Sequence, residues 1–310
     1  MSELSNFPFV FKPDLKAIDR SMREFAAGAA WLFEDIIGQG LINLVNAING
    51  ILSFIPWFVM VMFVFALGWR ARGRLTSGLL YALLLCVVGM VGLWKLMYMT
   101  LSIVLASVLI ALLIGLPIGI LLSASGRAMR IARPILDTMQ TMPVFVYLIP
   151  ALLLFGLGSA SAVIATVIYA IVPVIRLTSL GIRQVDESVV EASRSFGSTR
   201  LQTLVKVQIP QAMPTIMAGV NQTLMMAMSM VVTCSMIGAR GLGNEVLIAV
   251  NRTEIGRGLV SGFSVVILAV LLDRLTQGWF SAEKQKARRE RRLRAKLKAE
   301  NGDADHEQAA

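Results

Sequence analysis

The sequence predicts an all-α, polytopic membrane protein with about seven transmembrane helices. Of its 310 residues, 56% are hydrophobic and 15% are charged, and the mean hydropathy is +0.72. A chain of this length has more apolar side chains than one water-soluble core can enclose, so many of them must face lipid. The distribution agrees with this, because the apolar residues are grouped in long runs and the charges lie between them.

About seven apolar runs are long enough to be considered as membrane spans. In chain order they are residues 51–68, 77–93, 97–122, 144–157, 160–175, 214–237 and 259–272. The fourth run is short, and we expect its helix to begin nearer Pro134.

The charges between the runs predict the orientation of the chain. Arginines follow the first, third and fifth runs, whereas no charge follows the fourth. Nine lysines and arginines lie between residues 284 and 298. Because basic segments stay on the cytoplasmic side, the N-terminus is predicted outside and the C-terminus in the cytoplasm. We expect residues 277–310 to form a basic, disordered tail that attracts anionic lipid rather than nucleic acid.

Residues 1–50 are too polar to be predicted as a span. From Trp31 onward, apolar residues recur at helical spacing among Asn43, Asn46 and Asn49, which predicts an amphipathic helix. This helix either lies along the outer membrane interface or packs on the rim of the helix bundle, and the sequence favours neither.

Residues suited to catalysis or metal binding are scarce in the apolar runs. The only histidine, His306, is in the tail, and Cys86 and Cys234 are embedded among apolar residues. We therefore expect no catalytic residue and no metal ligand. The glycine-rich run 238–243 is predicted to be flexible and near the outer face. It does not resemble a phosphate-binding loop, because it follows a helix rather than a strand.

Two charges lie near predicted membrane boundaries. Asp137 follows Pro134 by three residues and is interpreted either as part of the first turn of a helix or as a functional charge. Arg176 follows Pro173, where the C-terminus of a helix or a snorkelling side chain accounts for it.

The longest polar stretch between apolar runs is residues 181–211. Its first part has helical periodicity with one apolar face, formed by Val185, Val189, Val190, Ala192 and Phe196. Gly197 is suited to end this helix in a left-handed conformation.

A second helix is predicted in the same loop. Ser198 or Thr199 can cap a helix over residues 200–207. Pro210 and Pro214 then mark the start of the next span. The pattern predicts a rigid helix–Gly–helix element, which is either a docking site for a cytoplasmic partner or an ordinary structured loop.

The loop also contains a spaced motif. It reads Glu191-Ala192-Ser193, three residues, Gly197, nine residues, then Val207-Gln208-Ile209-Pro210. This resembles the EAA motif of ATP-binding cassette importer permeases, which reads EAA, three residues, Gly, nine residues, I-x-L-P. In that family the motif forms a coupling helix that inserts into a groove on the ATP-hydrolysing subunit. The resemblance implies the coupling residues Glu191, Ala192, Ser193, Gly197, Val207, Ile209 and Pro210.

Further matches follow in order along the chain. They include Leu-Asp-Thr-Met-Gln-Thr-Met-Pro at 136–143 and the stretches 145–150, 173–178, 181–183, 218–232 and 237–243. These resemble permeases for glycine betaine, proline betaine and choline. The resemblance implies the type I importer transmembrane fold in a bacterial inner membrane. Residues 97–276 would form its core domain, and residues 51–96 would form two family-variable helices.

The resemblance implies partners as well. Two permease copies would form the pathway, two cytoplasmic subunits would bind ATP and Mg²⁺, and an extracytoplasmic protein would deliver a quaternary ammonium substrate. This chain carries no Walker sequence. No substrate contact is assigned, because the aromatic residues of the core are too scattered for a predicted cage. An ion-coupled secondary carrier is the alternative, which the scarcity of acids in the apolar runs disfavours.

Overall fold

The computed structural model describes residues 14–277, and within that range every regular element is helical. The prediction of an all-α protein is confirmed. The helices are α1 (Leu15–Gly28), α2 (Trp31–Phe54), α3 (Trp57–Arg72), α4 (Leu75–Met90), α5 (Trp94–Ser123), α6 (Gly126–Thr141), α7 (Val144–Phe155), α8 (Ser159–Arg183), α9 (Glu187–Ser195), α10 (Arg200–Ile237), α11 (Leu242–Arg252) and α12 (Ile255–Gln277). The predicted tail and the first part of the 1–50 segment lie outside the described residues.

Five described helices are long and apolar enough to cross a membrane, or six if the bent pair α6–α7 counts as one span. The five are α2, α5, α8, α10 and α12. The predicted runs 51–68 and 77–93 correspond instead to α3 and α4, which have 16 residues each. Such helices are about 24 Å long, shorter than a typical hydrocarbon core.

The predicted first run, 51–68, is wrong in its boundaries. It crosses a break between α2 and α3, where Ile55 is extended at φ −76° and ψ 118° and Pro56 follows. Proline disfavours a helical conformation of the preceding residue, which separates the two helices. Hydropathy alone does not register this break, because the residues on both sides of it are apolar.

The central layer of the bundle is formed by α5, α8 and α10, and α8 is the most enclosed of them. The two ends of the bundle are named here by their connections. The loop end is the one at which α8 is connected to α10. At the distal end, Gly158 donates a backbone hydrogen bond to Ile237 (3.0 Å), and Leu242 donates one to the Thr100 hydroxyl (2.8 Å).

Both halves of α2 contact the distal end. The Phe33 ring lies 5.7 Å from the Phe155 ring, edge to face, and the Ser102 hydroxyl donates to Asn49 at 3.5 Å. Leu41 is buried on the face that packs against the bundle. Helix α2 is long enough to span a membrane, but both of its halves contact the distal end of the bundle. It therefore lies across that end. This arrangement favours the predicted interfacial or rim position.

A 95° bend separates α6 from α7. Met142 is extended at ψ 133° and precedes Pro143, so the helix ends there for the reason that applies at Pro56. The prediction that the fourth span begins nearer Pro134 is wrong, because Pro134 lies inside α6, and α7 begins only at Val144.

The run 238–243 forms a tight turn, in which Ala239 and residues 241–243 are buried whereas Gly238 and Arg240 are exposed. Gly238 (φ +85°) and Gly241 (φ +149°) adopt backbone conformations that other residues rarely reach. A side chain at Gly241 would lie 2.4 Å from the Thr100 hydroxyl. The glycines therefore allow α11 to pack closely against α5.

The contact between α5 and α8 depends on small residues, and Gly119→Val is expected to lower stability by about 1–3 kcal/mol. A Cβ at this position would lie 2.7 Å from Thr178 Cβ and 2.9 Å from the Ile175 carbonyl oxygen. Since one obstacle is helix backbone, the two helices must separate.

Thermal unfolding in detergent measures this effect. Gly262→Val on α12 is the matched control, because no heavy atom lies within 4 Å of a Cβ placed there. Equal losses of thermal stability in the two variants would contradict the close-packing explanation.

Candidate functional site: the helix–Gly–helix loop

The predicted loop 181–211 is shorter in the structure than in the sequence analysis. Helix α8 continues to Arg183 and α10 begins at Arg200, so only the residues between them connect the two long helices. The prediction that a second helix stops near Val207 is wrong, because this helix continues to Ile237 as α10. Both long helices extend past their apolar runs into polar sequence, which a hydropathy window assigns to a loop.

Helix α9 begins at a side-chain cap. The Asp186 carboxylate accepts hydrogen bonds from the Ser188 hydroxyl (2.8 Å) and the Ser188 backbone N–H (3.0 Å). These bonds hold the pKa of the Asp186 carboxyl below its ordinary value. The cap satisfies a backbone donor that the first helical turn leaves free, so the start of α9 is well defined.

Helix α9 ends as predicted at Gly197, which has φ +78°. Its N–H donates to the Arg194 carbonyl (2.8 Å), and the Ser198 N–H donates to the Ser193 carbonyl (3.3 Å). This pair of bonds is the Schellman arrangement, which requires a left-handed residue at the Gly197 position. No heavy atom lies within 4 Å of a Cβ at Gly197, so backbone conformation rather than space favours glycine there.

The start of α10 is capped and linked to α9. Thr199 and Gln202 form a capping box, in which the Thr199 hydroxyl accepts from the Gln202 N–H at 3.3 Å and the Gln202 side chain accepts from the Thr199 N–H at 2.8 Å. The hydroxyls of Ser193 and Thr203 are 3.3 Å apart, and Thr203 is buried. These contacts join the two helices of the loop into one rigid unit.

A π-helical stretch, Leu204–Gln208, interrupts α10 directly before Pro210. Proline has no backbone N–H and crowds the preceding turn, and a wider turn accommodates it. Pro210 therefore does not mark the start of the span as predicted, and Pro214 also lies inside α10. Ile209 packs against Ile182 and the other residues of a small core cluster, which anchors the loop to the bundle.

The structure separates the predicted coupling residues into two groups. Glu191, Ala192 and Gly197 are exposed around the turn, and Ser193 is half-buried beside them. The remaining residues line the base of the loop, where Val207 and Ile209 are half-buried and Pro210 is exposed. Only the first group is on the protruding part.

The predicted apolar face of α9 is wrong at two of its five positions. Val190 is buried, whereas Ala192 and Phe196 face outward, and Phe196 is 91% exposed. Leu201 (69% exposed) and Val205 (53%) extend the exposed apolar surface onto α10. The sequence analysis did not single out Leu201 or Val205, although apolar residues among polar neighbours on a capped helix were a possible signal.

Asp137 and Arg176, which the sequence analysis treated separately, form an ion pair between α6 and α8. The interpretation of Asp137 as part of a first helical turn is wrong, since it lies near the C-terminus of α6. A carboxylate there opposes the helix dipole, and the Arg176 guanidinium compensates for this.

Comparison with known proteins identifies the family. Residues 107–281 match the profile of the family described as binding-protein-dependent transport system inner membrane component. The chain belongs to this family. It is thus a multi-pass component of an inner membrane, as the sequence resemblance implied.

Three relatives illustrate the degree of similarity. The chain is 48% identical over 234 residues to the glycine betaine/proline betaine transport system permease protein ProW of Escherichia coli (strain K12), covering 76% of this chain and 66% of ProW. It is 45% identical over 269 residues to the glycine betaine/carnitine transport permease protein GbuB of Listeria monocytogenes, covering 81% and 94%. It is 47% identical over 247 residues to the glycine betaine transport system permease protein OpuAB of Bacillus subtilis, covering 79% and 86%. The predicted subgroup is confirmed.

Solved structures show the same fold. The MetNI methionine ABC transporter in an inward-facing conformation matches with a TM-score of 0.52 and 24% identity, covering 62% of this chain and 93% of that chain. A second crystal form matches with a TM-score of 0.51, 22% identity and coverage of 60% and 91%. The predicted type I importer fold is confirmed.

Proposed function

We propose that this chain is the permease subunit of an ATP-binding cassette importer for glycine betaine, proline betaine and related quaternary ammonium compounds such as choline. Support for the substrate class comes from the names of ProW, GbuB and OpuAB. Support for coupling to an ATPase comes from the capped, rigid loop with its exposed apolar surface.

The proposal places the loop end in the cytoplasm, with the N-terminus outside and the C-terminus inside. Two copies of the chain enclose the pathway, and two cytoplasmic subunits bind ATP and Mg²⁺ and dock on residues Glu191 to Pro210. An extracytoplasmic binding protein delivers the substrate to the distal end. Exposed apolar residues such as Phe196 and Leu201 are suited to a protein groove, because their burial on docking is favourable.

Coupling follows from the continuity of the loop with α10. The Ser193–Thr203 contact and the Schellman turn hold α9 against the first turn of α10. From there α10 runs through the bundle to Ile237 and packs on α8. A displacement of α9 by the ATPases would therefore move α10 with it, as in a rigid-body switch between packed states.

Reconstitution tests the proposed function. The chain, its ATPase and its binding protein are placed in liposomes, and uptake of labelled glycine betaine is measured. We expect uptake only with hydrolysable ATP on the ATPase side and with binding protein on the opposite side. Competition by proline betaine and choline gives the substrate range. Uptake driven by an ion gradient without ATP would support the secondary carrier and overturn the proposal.

A further inference from the structure

A cavity of about 360 Å³ opens between α6 and α8 towards the loop end. Its charged and hydroxyl-bearing lining residues are Arg133, Asp137, Arg176, Ser179 and Arg183. The proposed transport mechanism uses none of them, although Arg183 also borders the helix–Gly–helix loop.

The charges around this cavity do not balance. Three guanidinium groups face one carboxylate, and Asp137 is paired with Arg176. Within residues 14–277, neither Arg133 nor Arg183 takes part in an ion pair or a side-chain hydrogen bond. Two positive charges at the cavity are therefore available to an anion.

Ser179 provides an independent indication of a ligand. Its side chain is fully buried, and among the described residues its hydroxyl has no hydrogen-bond partner. Serine hydroxyls in helices commonly bond to a carbonyl one turn earlier, so an unpaired one requires an explanation. An oxygen atom of a ligand in the cavity would satisfy it.

The position of α6 indicates where such a ligand comes from. Its first residue, Gly126, lies beside the Arg183 guanidinium at the end of α8, since a Cβ there would be 3.4 Å from that group. Ile131 (70% exposed) and Ile135 (59%) point away from the bundle. An amphipathic helix of this kind lies at the membrane interface with its apolar residues towards acyl chains. The cavity is then at the depth of lipid headgroups.

We propose that this cavity binds the phosphate group of an anionic phospholipid headgroup. Arg133 and Arg183 would contact the phosphate oxygens, which guanidinium groups bind with matching geometry, and Ser179 would donate its hydroxyl. Free phosphate offers the same oxygens, but the exposed isoleucines favour a ligand with acyl chains. The surplus positive charge disfavours a zwitterionic substrate with a quaternary ammonium group.

Native mass spectrometry of the full chain in neutral detergent tests the site, with phosphatidylglycerol and phosphatidylcholine as probes. We expect preferential retention of phosphatidylglycerol, and a loss of about thirty-fold in the double variant Arg133→Gln/Arg183→Gln. The double variant Arg127→Gln/Arg130→Gln is the matched control, because both residues are on α6 but do not line the cavity. An equal loss in this control, or equal retention of the two lipids by the unmodified protein, would overturn the proposal.

Two further variants distinguish loss of the lipid site from misfolding of the protein. Arg133→Lys/Arg183→Lys keeps the charge and should restore most of the retention. Asp137→Asn removes the carboxylate from the cavity and frees Arg176, so retention should rise, which a destabilised protein would not show. Unchanged or lower retention in Asp137→Asn contradicts the site. Displacement of phosphatidylglycerol by millimolar inorganic phosphate would identify free phosphate as the ligand and overturn the lipid assignment.

Discussion

Replacing Gly197 with Val is expected to reduce ATP-driven uptake in the reconstituted transporter at least about tenfold while leaving the helix bundle folded. Gly197 has φ +78°, and a β-branched residue is strained there by about 1–3 kcal/mol. The strain is relieved if the Schellman turn opens, which changes the angle between α9 and α10. A loop with the wrong angle no longer transmits movement of the ATPases to α10.

The matched control is Gly197→Asn, because asparagine tolerates the left-handed conformation. We expect it to retain most of the uptake. Space does not complicate the comparison, since no heavy atom lies within 4 Å of a Cβ at Gly197. The measurements are labelled glycine betaine uptake, ATPase association and thermal unfolding of the permease. Uptake and association at the unmodified level in Gly197→Val would reject the proposed role of the turn.

Local chemistry made the conformation of the loop predictable. Gly197 and Thr199 each have a backbone role that follows from residue type and spacing, and both occur where the sequence indicated. The direction in which side chains point was less predictable. Phe196 and Val190 share the predicted helical face, yet only Val190 is buried, because α9 ends at Ser195 and Phe196 lies beyond it at the C-cap.

Helix boundaries were predicted poorly, both from hydropathy and from the positions of the prolines. The breaks before Pro56 and Pro143 end helices inside or beside apolar runs. Pro210 and Pro214 are different, since α10 continues through both. Local sequence does not distinguish these outcomes. The packing of α10 against α8 on one side, and a π-helical turn before Pro210, stabilise a helix that the isolated sequence would break.

The pairing of Asp137 with Arg176 also required the structure. The two residues are 39 positions apart, and each had an adequate local explanation. Only the bend between α6 and α7 places α6 against α8, and no sequence periodicity reports an angle between helices. The same arrangement creates the arginine-lined cavity, which therefore had no signal in the sequence.

Replacing Phe196 with Ala is expected to weaken association with the ATPase by about thirty-fold, the loss typical of a central aromatic contact at a protein interface. Phe196 is 91% exposed in the isolated chain, so its removal leaves the permease fold intact. Leu157→Ala is the matched control, because Leu157 is 76% exposed near the distal end and lies far from the proposed docking surface. Titration of purified ATPase onto immobilised permease measures both affinities.

The Phe196→Ala variant should lose affinity for the ATPase but not the ability to couple ATP hydrolysis to transport. Phe196→Ala removes a contact but keeps the geometry of the loop, so raising the ATPase concentration should restore uptake. Gly197→Val keeps the contact residues but changes their geometry, so uptake should stay low when the ATPase is in excess. Equal affinities for Phe196→Ala and Leu157→Ala would contradict docking on this surface. Failure of excess ATPase to restore uptake in Phe196→Ala would show that Phe196 acts in coupling itself, because binding would then be saturated without transport.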